Sequence, residues 1–327
     1  MTMRPSQRKR HRLIALTFLL HVVLPLGVIA QVGAFLLGVH AVRQEQLAAG
    51  LALREAAAQA GATLDDMFNE RVQGVALFAE FPAFGRPFDA QRARQAIQAI
   101  GRHQPFFTWI GRLDTEGRVL VALDGLLEGK SGAQRPVFIN GREKPYLGDV
   151  HEALLLSRLL PPAPDGSPLR LMDISAPVRT QDGRYDGVLA THVDWSWVRD
   201  QFSALLNPVQ RERGIELLVL NKEGQVLFGP SDSLGDTLRG LALRHEASGV
   251  EPVLDRAIWA GGKDFVVGWS RSEPAGPLDK LGWRILLRQP VAEAQAAARS
   301  LRIGLHVAAL LLTLLAALLA WRVARRV

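Results

Sequence analysis

Hydrophobic positions are distributed in three regimes along this chain. From Leu13 to Val39 the sequence is predominantly apolar for 27 residues, and from Ile303 to Trp321 for 19, with no Asp, Glu, Lys or Arg in either stretch. A helix needs roughly 20 such residues to cross a hydrocarbon core of about 30 Å, so both predict membrane-spanning helices. From His40 to about Ala79 there is no proline, good helix formers dominate, and Leu64, Phe68, Val72, Val75 and Phe78 recur on one helical face. A long stalk helix is expected there, although Gly50, Gly61 and Gly74 count against one unbroken rod. Beyond residue 80 the pattern shifts to period two with turn punctuation, which predicts short antiparallel strands.

An internal echo sits within that third regime. Arg112-Leu113-Asp114-Thr115-Glu116-Gly117-Arg118-Val119-Leu120 returns as Val219-Leu220-Asn221-Lys222-Glu223-Gly224-Gln225-Val226-Leu227, with the two glycines 107 residues apart. Each copy reads as a strand, a tight turn closed by Gly, and a second strand. Further hairpins are expected at Gln181-Asp182-Gly183 and between Phe265–Arg271 and Trp283–Arg288. Strands and helices used twice over predict an α+β chain of two tandem modules.

Charge changes the picture less than it first suggests. The pI of about 10.3 and net charge of +7 point toward nucleic acid, yet eight of the 39 Lys and Arg lie in the two acid-free flanks of the apolar stretches. The segment between the spans holds 31 basic against 32 acidic residues, so no footprint for nucleic acid is left. Arg4, Arg8, Lys9, Arg10 and Arg12 precede the first span and Arg322, Arg325 and Arg326 follow the second, so the positive-inside rule puts both termini in the cytoplasm. Residues 40–302 are then periplasmic or extracellular, on a bacterial inner membrane crossed twice. Val28-Ile29-Ala30 offers a signal-peptide cleavage site, but the apolar run continues far beyond a signal h-region of about 7–15 residues, which favours an anchor. With no cysteine there is no disulfide framework, thiol catalysis or Cys-based metal site.

These residues carry a family resemblance. Membrane span, long helix, two hairpin-rich modules and second span resemble a double Cache sensor, whose modules are PAS-like. Phe107-Thr108-Trp109-Ile110-Gly111-Arg112-Leu113-Asp114 with Glu116-Gly117 resembles the first strands of its membrane-distal module. Gly129-Lys130-Ser131 with Arg135 and Phe138 resembles the loop and short helix over the ligand pocket. Ile174-Ser175-Ala176-Pro177-Val178, Asp182-Gly183 and Gly187-Val188-Leu189 resemble the last strands. The resemblance implies a cytoplasmic tail at 1–12, a first span at 13–39 and a stalk at 40–79. A distal module at 80–200 and a proximal one at 201–300 follow, then a second span at 303–321 and the start of a relay at 322–327. It also implies a homodimer, and a ligand in the distal module.

Amino-acid-binding members hold the carboxylate with an Arg followed two residues later by Trp. Arg135 takes the Arg position, but Val137 replaces the Trp, no Tyr lies just upstream, and His192 stands where the usual acid does, with Asp194 two residues on. The chain therefore departs from the amino-acid pattern. A guanidinium still suits a carboxylate, and a buried Asp suits an amine. Strand alternation places Asp173 with Ser175, and His192 with Asp194, on shared faces. The candidate ligand-binding set is Arg135, Asp173, His192 and Asp194 with Trp109, Phe138 and Tyr146 as walls, for a small molecule bearing a carboxylate or an amine. Trp195 and Trp197 are expected to pack at the end of the distal module.

Enzymatic readings are not supported. Gly125–Ser131 falls one residue short of a phosphate-binding P-loop, and there is no nucleophile elbow or zinc-protease helix. His192-Val193-Asp194 offers two metal ligands without a visible third, so no metal and no cofactor are expected. The Gly187-to-Trp197 pattern most resembles sensors joined to diguanylate cyclases, with histidine kinases and chemoreceptors as alternatives, so the output is expected beyond Val327 or in a partner rather than in this chain. The alternatives are a membrane-anchored periplasmic enzyme and a structural or assembly domain that binds no ligand. His21 and His306, inside the spans, are expected to be neutral and hydrogen-bonded between helices.

Overall fold

The structure, a computed structural model, describes residues 13, 16–160, 166, 168–231, 233–235, 253–254, 264–271 and 276–326. The basic tail at 1–12 lies outside the described residues, as does Val327.

Both apolar stretches are helical. Helix α1 (Leu24–Ala79) follows one π-helical turn (Leu19–Val23), and α8 (Ala296–Arg326) ends the chain. Each is long and apolar enough to cross a membrane, and each exposes its Leu, Val and Ile side chains, as a lipid-facing surface does. Polar groups join the two: His306 Nδ1 donates to Gln31 Oε1 at 2.8 Å, and Gln31 Nε2 donates back to the His306 carbonyl at 3.2 Å. His21 instead bonds within its own helix, to the Thr17 carbonyl. Near the start of α8, Glu45 Oε2 accepts from the Ala298 amide at 2.7 Å, supplying an acceptor that the first helical turn lacks.

α1 runs unbroken through Gly50, Gly61 and Gly74. Each glycine costs about 1 kcal/mol in a helix, less than burying the face formed by Leu64, Phe68 and Val75 returns. From that face Phe68 meets Trp283 edge-on at 5.9 Å, and the Asp65 carboxylate accepts from the Leu278 amide at 2.8 Å. Arg71 lies over Phe106 and Trp197, whose rings stack at 4.6 Å.

After α2 (Ala90–His103) come β1 (Phe107–Leu113), β2 (Val119–Ala122), α3 (Pro136–Ile139), β3 (Tyr146–Leu147), β4 (His151–Glu152), β5 (Arg170–Arg179) and β6 (Tyr185–Asp194). They build an antiparallel sheet in the order β2-β1-β6-β5-β3, with β4 also paired to β5. Then α4 (Trp195–Ala204), α5 (Pro208–Glu212), β7 (Glu216–Leu220), β8 (Val226–Phe228), β9 (Val253–Leu254), β10 (Phe265–Arg271), α6 (Pro277–Leu281), β11 (Arg284–Pro290) and α7 (Val291–Ala294) precede α8. The second sheet runs β8-β7-β11-β10-β9, repeating the first order of hairpin, last strand and penultimate strand.

The echoed hairpins share their chemistry. Asp114 Oδ1 accepts from the amides of Glu116 and Arg118, and Asn221 Oδ1 accepts from those of Glu223 and Gln225. Gly117 and Gly224 occupy φ of 83° and 80°, a region costly for residues with a Cβ.

A buried ion pair fixes one end of the first sheet. Arg112 is 1% exposed and donates to the Asp186 carboxylate at 3.0 Å, to the Asp186 and Phe84 carbonyls at 2.8 and 3.0 Å, and to the Leu113 carbonyl. Burial lowers the Arg112 pKa while Asp186 opposes that effect. Arg86 gives Asp186 a second cation at 2.6 Å.

Candidate ligand-binding site

One face of the first sheet, the β2–α3 loop and the segment 146–156 enclose a cavity of about 560 Å³. The two long central strands form its floor. Asp173 on β5 and His192 on β6 are register partners, so their side chains emerge together on one face. Strand β4 then adds His151, opposite Leu171, two residues from Asp173 on the same face.

These three side chains converge on one oxygen. His192 Nδ1 lies 2.6 Å and His151 Nε2 2.9 Å from Asp173 Oδ1. Burial raises the Asp173 pKa, but the two imidazole hydrogen bonds outweigh it and hold the carboxyl at about 2. The carboxylate is therefore ionised, and both imidazoles donate to it. The same hydrogen bond raises the His151 pKa against the opposing effect of burial. His151 also places Nδ1 3.1 Å from the Glu152 carbonyl, so both of its ring nitrogens face acceptors.

The walls are apolar with a basic mouth. Trp109 lies against His192 at 5.2 Å, and its indole N–H donates to the Leu126 carbonyl at 3.0 Å, tying the β2–α3 loop to the sheet. Its ring covers Gly111, where a Cβ would collide with the indole edge. The loop is held again by Glu128, which accepts a two-pronged bond from Arg94 at 2.5 and 3.0 Å and the Ala122 amide at 2.9 Å. The Arg94 hydrogen bond lowers the Glu128 pKa, so the clamp is ionic. Within this loop Asp124 and Leu127 hold left-handed backbone at φ of 52° and 67°, which is strained for residues with a Cβ. Arg135 lines the mouth, and its guanidinium makes no ion pair with any described residue.

Five of the seven sequence-predicted residues thus line this cavity: Arg135, Asp173, His192, Trp109 and Tyr146. Phe138 does not; it is 3% exposed and packs in the hydrophobic core beneath α3. Asp194 does not either, because β6 ends there and its carboxylate caps α4 through the Ser196 amide at 2.6 Å. It borders a second, larger opening of about 1090 Å³, lined also by Trp195, Asn221 and Gln225. Sequence reading missed His151. It lies 22 residues from Asp173 on a two-residue strand, and no spacing rule links positions that only sheet pairing brings together. Trp195 is buried edge-on against Phe202 and Trp283, and Trp197 stacks on Phe106, so both tryptophans pack as expected.

No protein-family model matches the sequence, nor does any curated protein. Solved structures do match the fold. The ligand-binding domain of the Pseudomonas aeruginosa amino acid chemoreceptor PctB, solved with L-Arg, aligns with a TM-score of 0.54 at 15% identity, over 78% of this chain and 93% of that one. The extracellular domain of the histidine kinase rpHK1S-Z16 aligns at 0.51 and 14% identity, over 73% and 93%. The fold is that of PAS-like sensor domains. An extracellular ligand-binding receptor from Desulfohalobium retbaense aligns at 0.49 and 15% identity, over 72% of this chain, which spans only 40% of that receptor's length. The first two of these neighbours are a chemoreceptor ligand-binding domain and the extracellular domain of a histidine kinase.

Proposed function

We propose that this chain is the ligand-sensing input of a two-pass bacterial receptor, with residues 40–302 outside the inner membrane. In this reading residues 80–200 form a membrane-distal double Cache module and 201–300 a proximal one. A small molecule enters the distal cavity, and the resulting shift travels through α1 and α8 of a homodimer to a cytoplasmic output such as a diguanylate cyclase. The cavity carries the proposal. An apolar enclosure has an uncommitted guanidinium at its mouth and an ionised, buried carboxylate on its floor, which suits a small carboxylate or amine. Chemoreceptor and histidine-kinase sensor domains with the same fold support it.

Purified residues 1–327 in detergent, screened against small carboxylates, amines and amino acids by thermal shift, test this. A ligand that binds only the folded state raises the melting temperature. Arg135→Ala should abolish the shift for carboxylates. If carboxylate hits bind the variant as well as the wild type, the pocket assignment is wrong.

A further inference from the structure

We propose that His151, Asp173 and His192 form a binding site for a divalent transition-metal ion of the zinc class on the floor of the distal cavity. The three donor atoms, His151 Nε2, Asp173 Oδ1 and His192 Nδ1, already lie within 4.8 Å of one another. They come from three paired strands, so the sheet rather than a loop sets their spacing. Two imidazoles and one carboxylate are a donor set that suits zinc and its first-row neighbours iron(II), nickel and copper. A chain without cysteine offers no thiolate for softer ions, and a single carboxylate is too few for calcium or magnesium.

The second ring nitrogen of His151 is already arranged for coordination. Histidines that ligate metals typically donate their other N–H to a carbonyl or carboxylate, which fixes the tautomer and aims the bare nitrogen. His151 Nδ1 faces the Glu152 carbonyl at 3.1 Å, leaving Nε2 to point at Asp173. Ligand atoms at the corners of a tetrahedron with bonds of about 2.0–2.2 Å stand roughly 3.3–3.6 Å apart. The two N···O separations, 2.6 and 2.9 Å, are hydrogen-bond distances that open by roughly half an ångström on ion binding, while the imidazoles move together. His151 is the side chain free to do so, being 44% exposed against 14% for His192 and 6% for Asp173. As the ion binds, His151 loses its Nε2 proton to solvent, and His192 gives its Nδ1 proton to solvent while taking one from solvent at Nε2, so one proton is released in all. Three protein ligands leave at least one coordination position open toward the cavity.

Arg135 separates this site from one for an organic anion. Its positive charge is felt at His151, so it opposes a bare cation while attracting a carboxylate. Removing it should tighten ion binding and weaken carboxylate binding, opposite signs from one substitution.

The test uses residues 1–327 in detergent, purified without a histidine tag and stripped with a chelator. Zn²⁺ is titrated by calorimetry with Mg²⁺ as the control, and Co²⁺ serves as the spectroscopic probe. One Zn²⁺ per chain is expected, with Mg²⁺ silent and a Co²⁺ visible spectrum typical of mixed nitrogen and oxygen ligands. His151→Ala removes a half-exposed residue on a short edge strand, so it should fold, and it should weaken Zn²⁺ binding by more than about 100-fold, since even outer partners of metal ligands are worth 10–100-fold. Arg135→Ala should strengthen Zn²⁺ binding. Absence of Zn²⁺ binding to the wild type, or equal binding to His151→Ala, overturns the site. The proposal rests on the sensing reading for the purpose of the cavity, and the outcomes remain separable. Zn²⁺ binding with no response to any carboxylate or amine refutes the organic-ligand reading and leaves the ion site. An organic ligand that binds a chain to which Zn²⁺ does not bind refutes the ion site alone.

Discussion

Replacing Asp173 with asparagine removes the charge on which both imidazoles converge while keeping the side chain's shape. The carboxyl is held at about 2 against an ordinary value of 3.8. At roughly 1.4 kcal/mol per pKa unit, ionisation at this position stabilises the fold by about 2 kcal/mol. The sign follows from a folded-state pKa below the unfolded one. The contribution is fully present above about pH 4 and disappears as pH falls through 2. His151 limits it from the other side: its pKa is raised, so its part of the interaction is present below about pH 6.5 and fades as pH rises through the folded value. Metal-free wild type and Asp173→Asn should therefore differ most between about pH 4 and 6.5. For a soluble region of this size the difference corresponds to a melting temperature lower by roughly 4–8 °C. Differential scanning fluorimetry of both proteins in one detergent, from pH 3 to 8, gives the comparison. A variant as stable as wild type at pH 5, or a gap that widens toward pH 3, would refute the reasoning.

Arg112→Met removes the cation from a buried pair and leaves the carbonyls of Phe84, Leu113 and Asp186 without its donors; Arg86 still reaches Asp186, so a loss of about 3 kcal/mol is expected by thermal melting, and Arg112→Lys should recover little because ammonium cannot reproduce the fork. Gly148→Ala places a Cβ 3.0 Å from Asp173 Cβ and 3.1 Å from Tyr146 Oη, so it should weaken Zn²⁺ or ligand binding measured by calorimetry while costing the fold no more than about 1–3 kcal/mol.

What the sequence revealed and what it hid divide along the range of the interactions. The two long apolar helices were legible because their pattern is local, and the hairpins because Asp114 or Asn221 and a closing Gly specify a turn within five residues. Asp173 and His192 were found because each sits on a ten-residue strand whose alternation shows which residues share a face. His151 gave no such signal from a two-residue strand. Asp194 misled for a related reason. Alternation puts it on the face of His192, but the strand ends there and capping a helix takes its carboxylate instead. Phe138 follows the family pattern in sequence, yet α3 is one turn long and turns that ring into the core.

Strand length also separates a fixed floor from a wall that is cheaper to move. β5 and β6 pair along nine register positions, so displacing Asp173 or His192 would break a continuous ladder. β3 and β4 hold only two pairs each, and between them Asp149 accepts the Trp283 indole N–H at 2.9 Å. Burial raises the pKa of that carboxyl, so losing the indole partner would leave an acid in an environment unfavourable to its charge. Trp283 in turn packs edge-on against Phe68 of α1, Trp195 of α4 and Phe202. A bound species shifts a conformational equilibrium only through unequal affinity for the two states. One that draws His151 toward His192 gains affinity from the movable wall while the floor stays fixed. The residue two positions back is the one that holds Trp283, so occupancy of the cavity and the packing on α1 share a single short segment of backbone.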